Sequence, residues 1–178
     1  MKIKNLVLIA SYASLAVLFE ILKDAIPFLN IGAFGGSIKL SLIPLTVASF
    51  HLGVINGLVT ATVWFIVMRI LGDFGYFLNF SQYALDYVIP TAVVSLSSIF
   101  ANKSKKLIPV VSGIVLVSVL RFLSFVLAGI IFYAPKDSTS LTATILFAVN
   151  YNFPFVALTC LMLVIVVPIL ISRIRFND

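Results

Sequence analysis

Four ionisable side chains stand inside otherwise apolar runs: Glu20, Arg69, Asp86 and Arg121. An ion at the centre of hydrocarbon costs about 3 kcal/mol or more on insertion scales, so each needs a partner, a wet cavity or a ligand. Asp86 sits in Tyr83-Ala-Leu-Asp86-Tyr87, with Tyr76 ten residues earlier, so a carboxylate is framed by aromatic rings. That arrangement suits an organic cation or a ring bearing amino groups, held by charge neutralisation, stacking and cation–π contact in a partly dry cavity. A structural ion pair between Asp86 and Arg69 or Lys39 explains the same residue equally well at this level.

Arg121 lies deeper and keeps its charge, so it must face the bundle interior and donate to carbonyls, a carboxylate or water. In the last apolar run Asn150, Tyr151 and Asn152 offer amide and hydroxyl groups that can orient a polar ring, with Pro154 loosening the backbone beside them. Hydrogen bonding between helices is the alternative use of those groups. No GxxxxGK[ST] phosphate loop, HExxH pair or nucleophile elbow is present, so the sequence reads as a non-enzyme with no cofactor and no metal site. Transport against a gradient would then need an energising partner. The lone His51 is expected at an interface, and the single Cys160 as a buried, inert thiol.

The elements that hold these groups are read from the apolar pattern. Hydrophobic residues make up 62% of the 178 and charged residues 10%, well under the roughly one-quarter charge of a soluble domain. The expectation is an all-α integral membrane protein, a six-transmembrane-helix bundle forming one membrane domain over 1–178. Its spans are placed near 5–22, 38–50, 53–71, 82–101, 107–133 and 142–171. The first is read as a retained span, because no small-residue cleavage site follows it. Span 38–50 is short and contains Pro44, which predicts a tilt, a kink or a close joint with its successor through His51-Leu52-Gly53.

Six crossings put Lys2, Lys4, Lys103, Lys105, Lys106, Arg173 and Arg175 on one side, which the positive-inside rule makes cytoplasmic along with both termini. The net charge of +6 is thereby explained by topology and not by nucleic acid. The opposite side holds segments 23–37, 72–81 and 134–141, with Lys23, Asp24, Asp73, Lys136 and Asp137 in near balance. Segment 25–36, apolar yet rich in Gly and Pro, reads as a lid over protein or as a plain interfacial connector. The series Gly53, Gly57, Ala61 allows close helix packing, as do Ala10, Ala13, Ser14 and Ala16 in the first span.

Taken in order, Gly53-Val-Ile-Asn-Gly57 leading to Trp64, then Tyr76-Phe-Leu-Asn-Phe-Ser-Gln-Tyr-Ala-Leu-Asp86-Tyr87, then Arg121-Phe-Leu-Ser124 continuing to Gly129-Ile-Ile-Phe-Tyr133, form a recognisable pattern. It resembles the thiamine-specific substrate-binding S subunits of energy-coupling factor transporters, from the first span to about Pro154. The resemblance implies six helices, a vitamin bound near the extracellular face under the loop joining the first two, and a cell-membrane complex with a coupling subunit and two ATPases. It implies that Ala10, Ala13 and Ser14 pack on the coupling subunit. It also implies that Tyr76, Asp86, Tyr87, Phe125, Tyr133, Asn150, Tyr151 and Asn152 form the vitamin site. Asp86 stands for the family's glutamate, Phe125 for its fifth-helix histidine and Tyr133 for its tryptophan. The sixth-helix asparagine falls near Ala148, or at Asn150 or Asn152. Thiamine, or a precursor or analogue of it, is the expected ligand. An S subunit for riboflavin, folate or a modified-base precursor, and an accessory structural membrane subunit, are the alternatives.

Overall fold

The computed structural model describes residues 3–31, 36–101, 105–133 and 140–174. Lys2, Lys103, Lys136, Asp137, Arg175 and the stretch 32–35 of the first outer loop lie outside the described residues.

Helix α1 runs Ile3–Asp24. Its inward residues Ile9, Ala13, Ala16 and Glu20 follow the three-and-four spacing of one helix face, while Val7, Leu15, Leu18 and Ile21 on the other faces stay exposed. A helical turn at Pro27–Leu29 and a two-residue ladder pairing β1 (Asn30–Ile31) with β2 (Gly36–Ser37) carry the chain to α2, Leu42–Leu52. Helix α2 begins four residues later than the expected span. All nine residues from Leu42 to Phe50 are buried, the mark of a helix surrounded by others on every side. Pro44 falls in its first turn, where the missing N–H would have had no partner in any case.

Gly53 closes α2 and opens α3, Val54–Ile70, with φ of 84°. A side chain there would meet nothing within 4 Å, so Gly53 serves the turn and not the close packing expected of it. Gly57 does pack closely: a Cβ on it would lie 2.9 Å from the Ser49 Cα. Ser49 in turn donates its one hydroxyl hydrogen to the Ser95 carbonyl at 2.5 Å and lies 3.0 Å from Ser98 Oγ, which pins α2 to the fourth span.

That fourth span, expected as one regular helix over 82–101, is a composite. Helix α4 (Phe80–Tyr83) passes into a π turn at Ala84–Val88, then α5 (Ile89–Ala92), then a tight 3₁₀ stretch at Val93–Ser98. Helix α6, Leu107–Ala128, ends in a second π turn at Gly129–Tyr133. Helix α7, Leu141–Arg173, has 33 residues and contains Pro154 and Pro168; at 1.5 Å per residue it is about 50 Å long and outreaches a hydrocarbon core of about 30 Å. Six helical spans result, and α1, α6 and α7 are each long and apolar enough to cross a bilayer. This is a helical membrane protein.

The core is centred on α2, where Leu45, Phe50, Ile114, Val117, Leu163 and Val167 meet. At one end of the bundle Lys105 Nζ donates to the Ser172 carbonyl at 3.1 Å, capping the end of α7. Tyr12 Oη and His51 Nδ1 are 2.8 Å apart in a part-buried bond between α1 and α2, so the histidine has a structural partner.

Candidate functional site

A cavity of about 680 Å³ is lined by residues from α2, α3, the fourth span, α6 and α7, with Gly36 and Ser37 at its edge. The volume lies within the range of sites for vitamin-sized ligands. The two π turns frame it. A π turn widens the helix by one residue and such turns occur often at functional sites; here one presents Asp86 and Tyr87 and the other Tyr133. Side chains of α6 stitch the fourth span in place: Ser124 Oγ donates to the Leu85 carbonyl at 2.6 Å and Arg121 Nη1 to the Pro90 carbonyl at 3.2 Å. Gly129 admits α7, since a Cβ there would come within 2.8 Å of the Ala148 Cβ.

Asp86 Oδ2 accepts from Tyr133 Oη at 2.7 Å and from Gln82 Nε2 at 2.6 Å. Neither cation considered for an ion pair with Asp86 is there. Arg69 pairs with Asp73 at 3.3 Å and donates to the Phe74 carbonyl and the Tyr83 hydroxyl, both at 2.9 Å. Lys39 pairs with Glu20 at 2.7 Å. Glu20 is 2% exposed and also takes Lys23 at 3.0 Å and the Ser41 hydroxyl at 2.5 Å, so its own buried charge is fully compensated. Asp86 therefore faces the cavity with hydrogen-bond donors but no cation bonded to it among the described residues.

Aromatic rings surround that carboxylate. Tyr76 and Tyr133 have centroids 6.3 Å apart, and Tyr83 and Tyr87 4.8 Å. The Tyr87 hydroxyl accepts from the Tyr76 backbone N–H at 2.8 Å, which ties the outer segment 72–79 to the fourth span. Gly75, at φ of 67°, lets that segment pass over the Tyr87 ring. Across the cavity Phe125 packs on Phe155 at 5.6 Å, and the Arg121 guanidinium sits 5.6 Å from the Phe125 centroid. Arg121 finds a carbonyl and a ring, and among the described residues no carboxylate is within ion-pair reach of it.

Of the residues expected at the site, Tyr76, Asp86, Tyr87, Phe125, Tyr133, Tyr151 and Asn152 all line this one cavity. Asn150 does not. It is exposed on another face of α7, because residues 148 and 152 share the inward face at a spacing of four and 150 falls between them. Asn152 is buried and donates to the Ala148 carbonyl at 2.8 Å and the Phe125 carbonyl at 3.4 Å. In α1, Ala10 and Ser14 lie exposed on one face, whereas Ala13 is 3% exposed and belongs to the core. Gln82, which the sequence reading passed over, is completely buried against Asp86. Its signal was the spacing of four to the aspartate, at which Gln and Asp side chains on a helix can meet.

The model of the thiamine transporter protein family, Thia_YuaJ, matches residues 6–176. The thiamine transporter ThiT of Bacillus subtilis (strain 168) is 28% identical over 179 residues, covering 93% of this chain and 89% of that protein. A solved structure of ThiT from Listeria monocytogenes has the same fold, with a TM-score of 0.75 at 22% identity over 94% of this chain and 93% of that one. With its family model matched over nearly the whole length, this six-span chain belongs to the thiamine transporter protein family.

Proposed function

We propose that the chain is the membrane-embedded S component of an energy-coupling factor importer and that its cavity binds thiamine, or a precursor or analogue with the same cationic heteroaromatic character. It is a transport protein's binding subunit and not an enzyme. The observation that carries the reading is Asp86: a carboxylate lining a vitamin-sized cavity, ringed by Tyr76, Tyr87 and Tyr133, with no cation bonded to it among the described residues. A cationic ring supplies the missing charge, and the tyrosines supply faces for it to lie against. Tyr151 and Asn152 orient the ligand's polar edge, and Phe125 contributes an apolar wall.

In this reading the protein is a multi-pass component of the cell membrane, with the cavity outward and the Lys105 and Arg173 end cytoplasmic. A transmembrane coupling subunit packs on α1 at Ala10 and Ser14, and two ATPase subunits supply the energy. Mass spectrometry of small molecules released from the purified protein tests the ligand. Thiamine or a thiamine-like cation supports the reading; a neutral or anionic vitamin such as riboflavin or folate would replace it.

A further inference from the structure

Gln82 joins three parts of the cavity wall through one side chain. It is 0% exposed. Its Oε1 accepts from the Leu78 N–H at 2.9 Å, and its Nε2 lies 2.6 Å from Asp86 Oδ2, 2.8 Å from Tyr133 Oη and 3.2 Å from the Tyr76 carbonyl. Its own backbone N–H donates to Asn79 Oδ1 at 2.8 Å, the cap that starts α4. The proton accounting is restrictive. Tyr133 donates its only hydroxyl hydrogen to Asp86 Oδ2, so toward Gln82 it can only accept, and the two Nε2 hydrogens are shared among Asp86 Oδ2, Tyr133 Oη and the Tyr76 carbonyl. Gln82 and Tyr133 therefore both aim donors at Oδ2, and among the described residues no donor reaches Oδ1.

A carboxylate on a short side chain turns easily about its last bond, and its outer oxygen is useful to a ligand only if that rotation is fixed. We propose that Gln82 is a positioning residue: it acts through Asp86, holding Oδ2 so that Oδ1 is the oxygen presented to the ligand's cation. The inference rests on the reading of this cavity as a site for a cationic, thiamine-like ligand.

The test measures affinities for thiamine and for an uncharged isostere whose thiazolium nitrogen is replaced by carbon, in the full-length protein. The four forms are wild type, Gln82→Met, Asp86→Asn and the double variant. Gln82→Met is expected to weaken thiamine binding by about 10- to 100-fold, as loss of a hydrogen bond to a charged group does, and to leave the neutral isostere within about 3-fold, inside the usual error of additivity. On the Asp86→Asn background it should cost thiamine nothing further. An equal loss for both ligands, or full additivity with Asp86→Asn, would overturn the positioning role and make Gln82 a general structural residue. Where methionine prevents folding, Gln82→Asn, which keeps the amide on a shorter arm, should give the same ligand-selective loss, and an unselective one overturns the role equally. Wild-type protein that binds neither ligand refutes the ligand assignment itself, a result distinct from both.

Discussion

The Tyr133 hydroxyl donates to Asp86 Oδ2 at 2.7 Å, joining two residues 47 apart in the chain that both stand on π turns. Two widened turns facing each other place an acid and a phenol in contact at the cavity wall. Removing the charge should therefore disturb the ligand more than the fold. For Asp86→Asn, thiamine affinity is expected to fall by roughly 10- to 100-fold, the worth of a hydrogen bond to a charged group, with an unchanged melting temperature in detergent. Affinity equal to wild type would make Asp86 a structural residue.

The two asparagines of α7 separate cleanly. Asn152 is buried on the cavity and Asn150 is exposed away from it. Asn152→Ala should weaken ligand binding several-fold, whereas Asn150→Ala should leave it unchanged. Calorimetric titration of both variants checks the register of this helix directly, and the reverse pattern would mean that α7 is rotated.

Gly75 is expected to tolerate no side chain. Its φ of 67° is costly for alanine, by roughly 1–2 kcal/mol, and a Cβ would lie 2.5 Å from Tyr87 Cζ. Gly75→Ala should push Tyr87 off the Tyr76 N–H, lowering both thermal stability and thiamine affinity in one step. A variant that melts and binds as wild type does would show that segment 72–79 adapts freely.

Glu20 serves stability. Its carboxylate compensates Lys23 and Lys39 together and takes the Ser41 hydroxyl. Glu20→Gln removes the carboxylate charge that Lys23 and Lys39 share, and losing hydrogen bonds to a charged group costs about 2 kcal/mol. Thermal unfolding in detergent should drop by several degrees. Ligand affinity of the folded fraction should change less than it does for Asp86→Asn.

Much of this was legible in the residues, for reasons that can be named. Apolar runs mark membrane helices whatever their neighbours do, so α1, α3, α6 and α7 start and stop within a few residues of the expected limits. The site around Asp86 was visible because a carboxylate is costly in lipid and stands out there, and the tyrosines lie close to it in the sequence. The fourth span was not legible as a composite. π and 3₁₀ turns share their residue preferences with α-helix, and only packing against α6 and α2, through Ser124 and Ser49, selects them. Ion-pair partners were likewise hidden. Lys39 and Arg69 both fall toward the outer ends of their expected spans and so could claim Asp86, and it took the placement of Glu20 and Asp73 to occupy them. In α7 apolar residues occupy every face and give no phase, so Asn150 and Asn152 could be told apart only once one face was seen against Gly129.

The central claim is that this cavity holds a thiamine-like cation against Asp86. Trp64, the single tryptophan, lines the same cavity and reports on it without a label. Titrating the purified protein with thiamine while following Trp64 fluorescence should give saturable quenching at one ligand per chain, shifted to at least about tenfold higher concentration in Asp86→Asn. No saturable change in the wild type, or an identical curve for Asp86→Asn, would contradict the account.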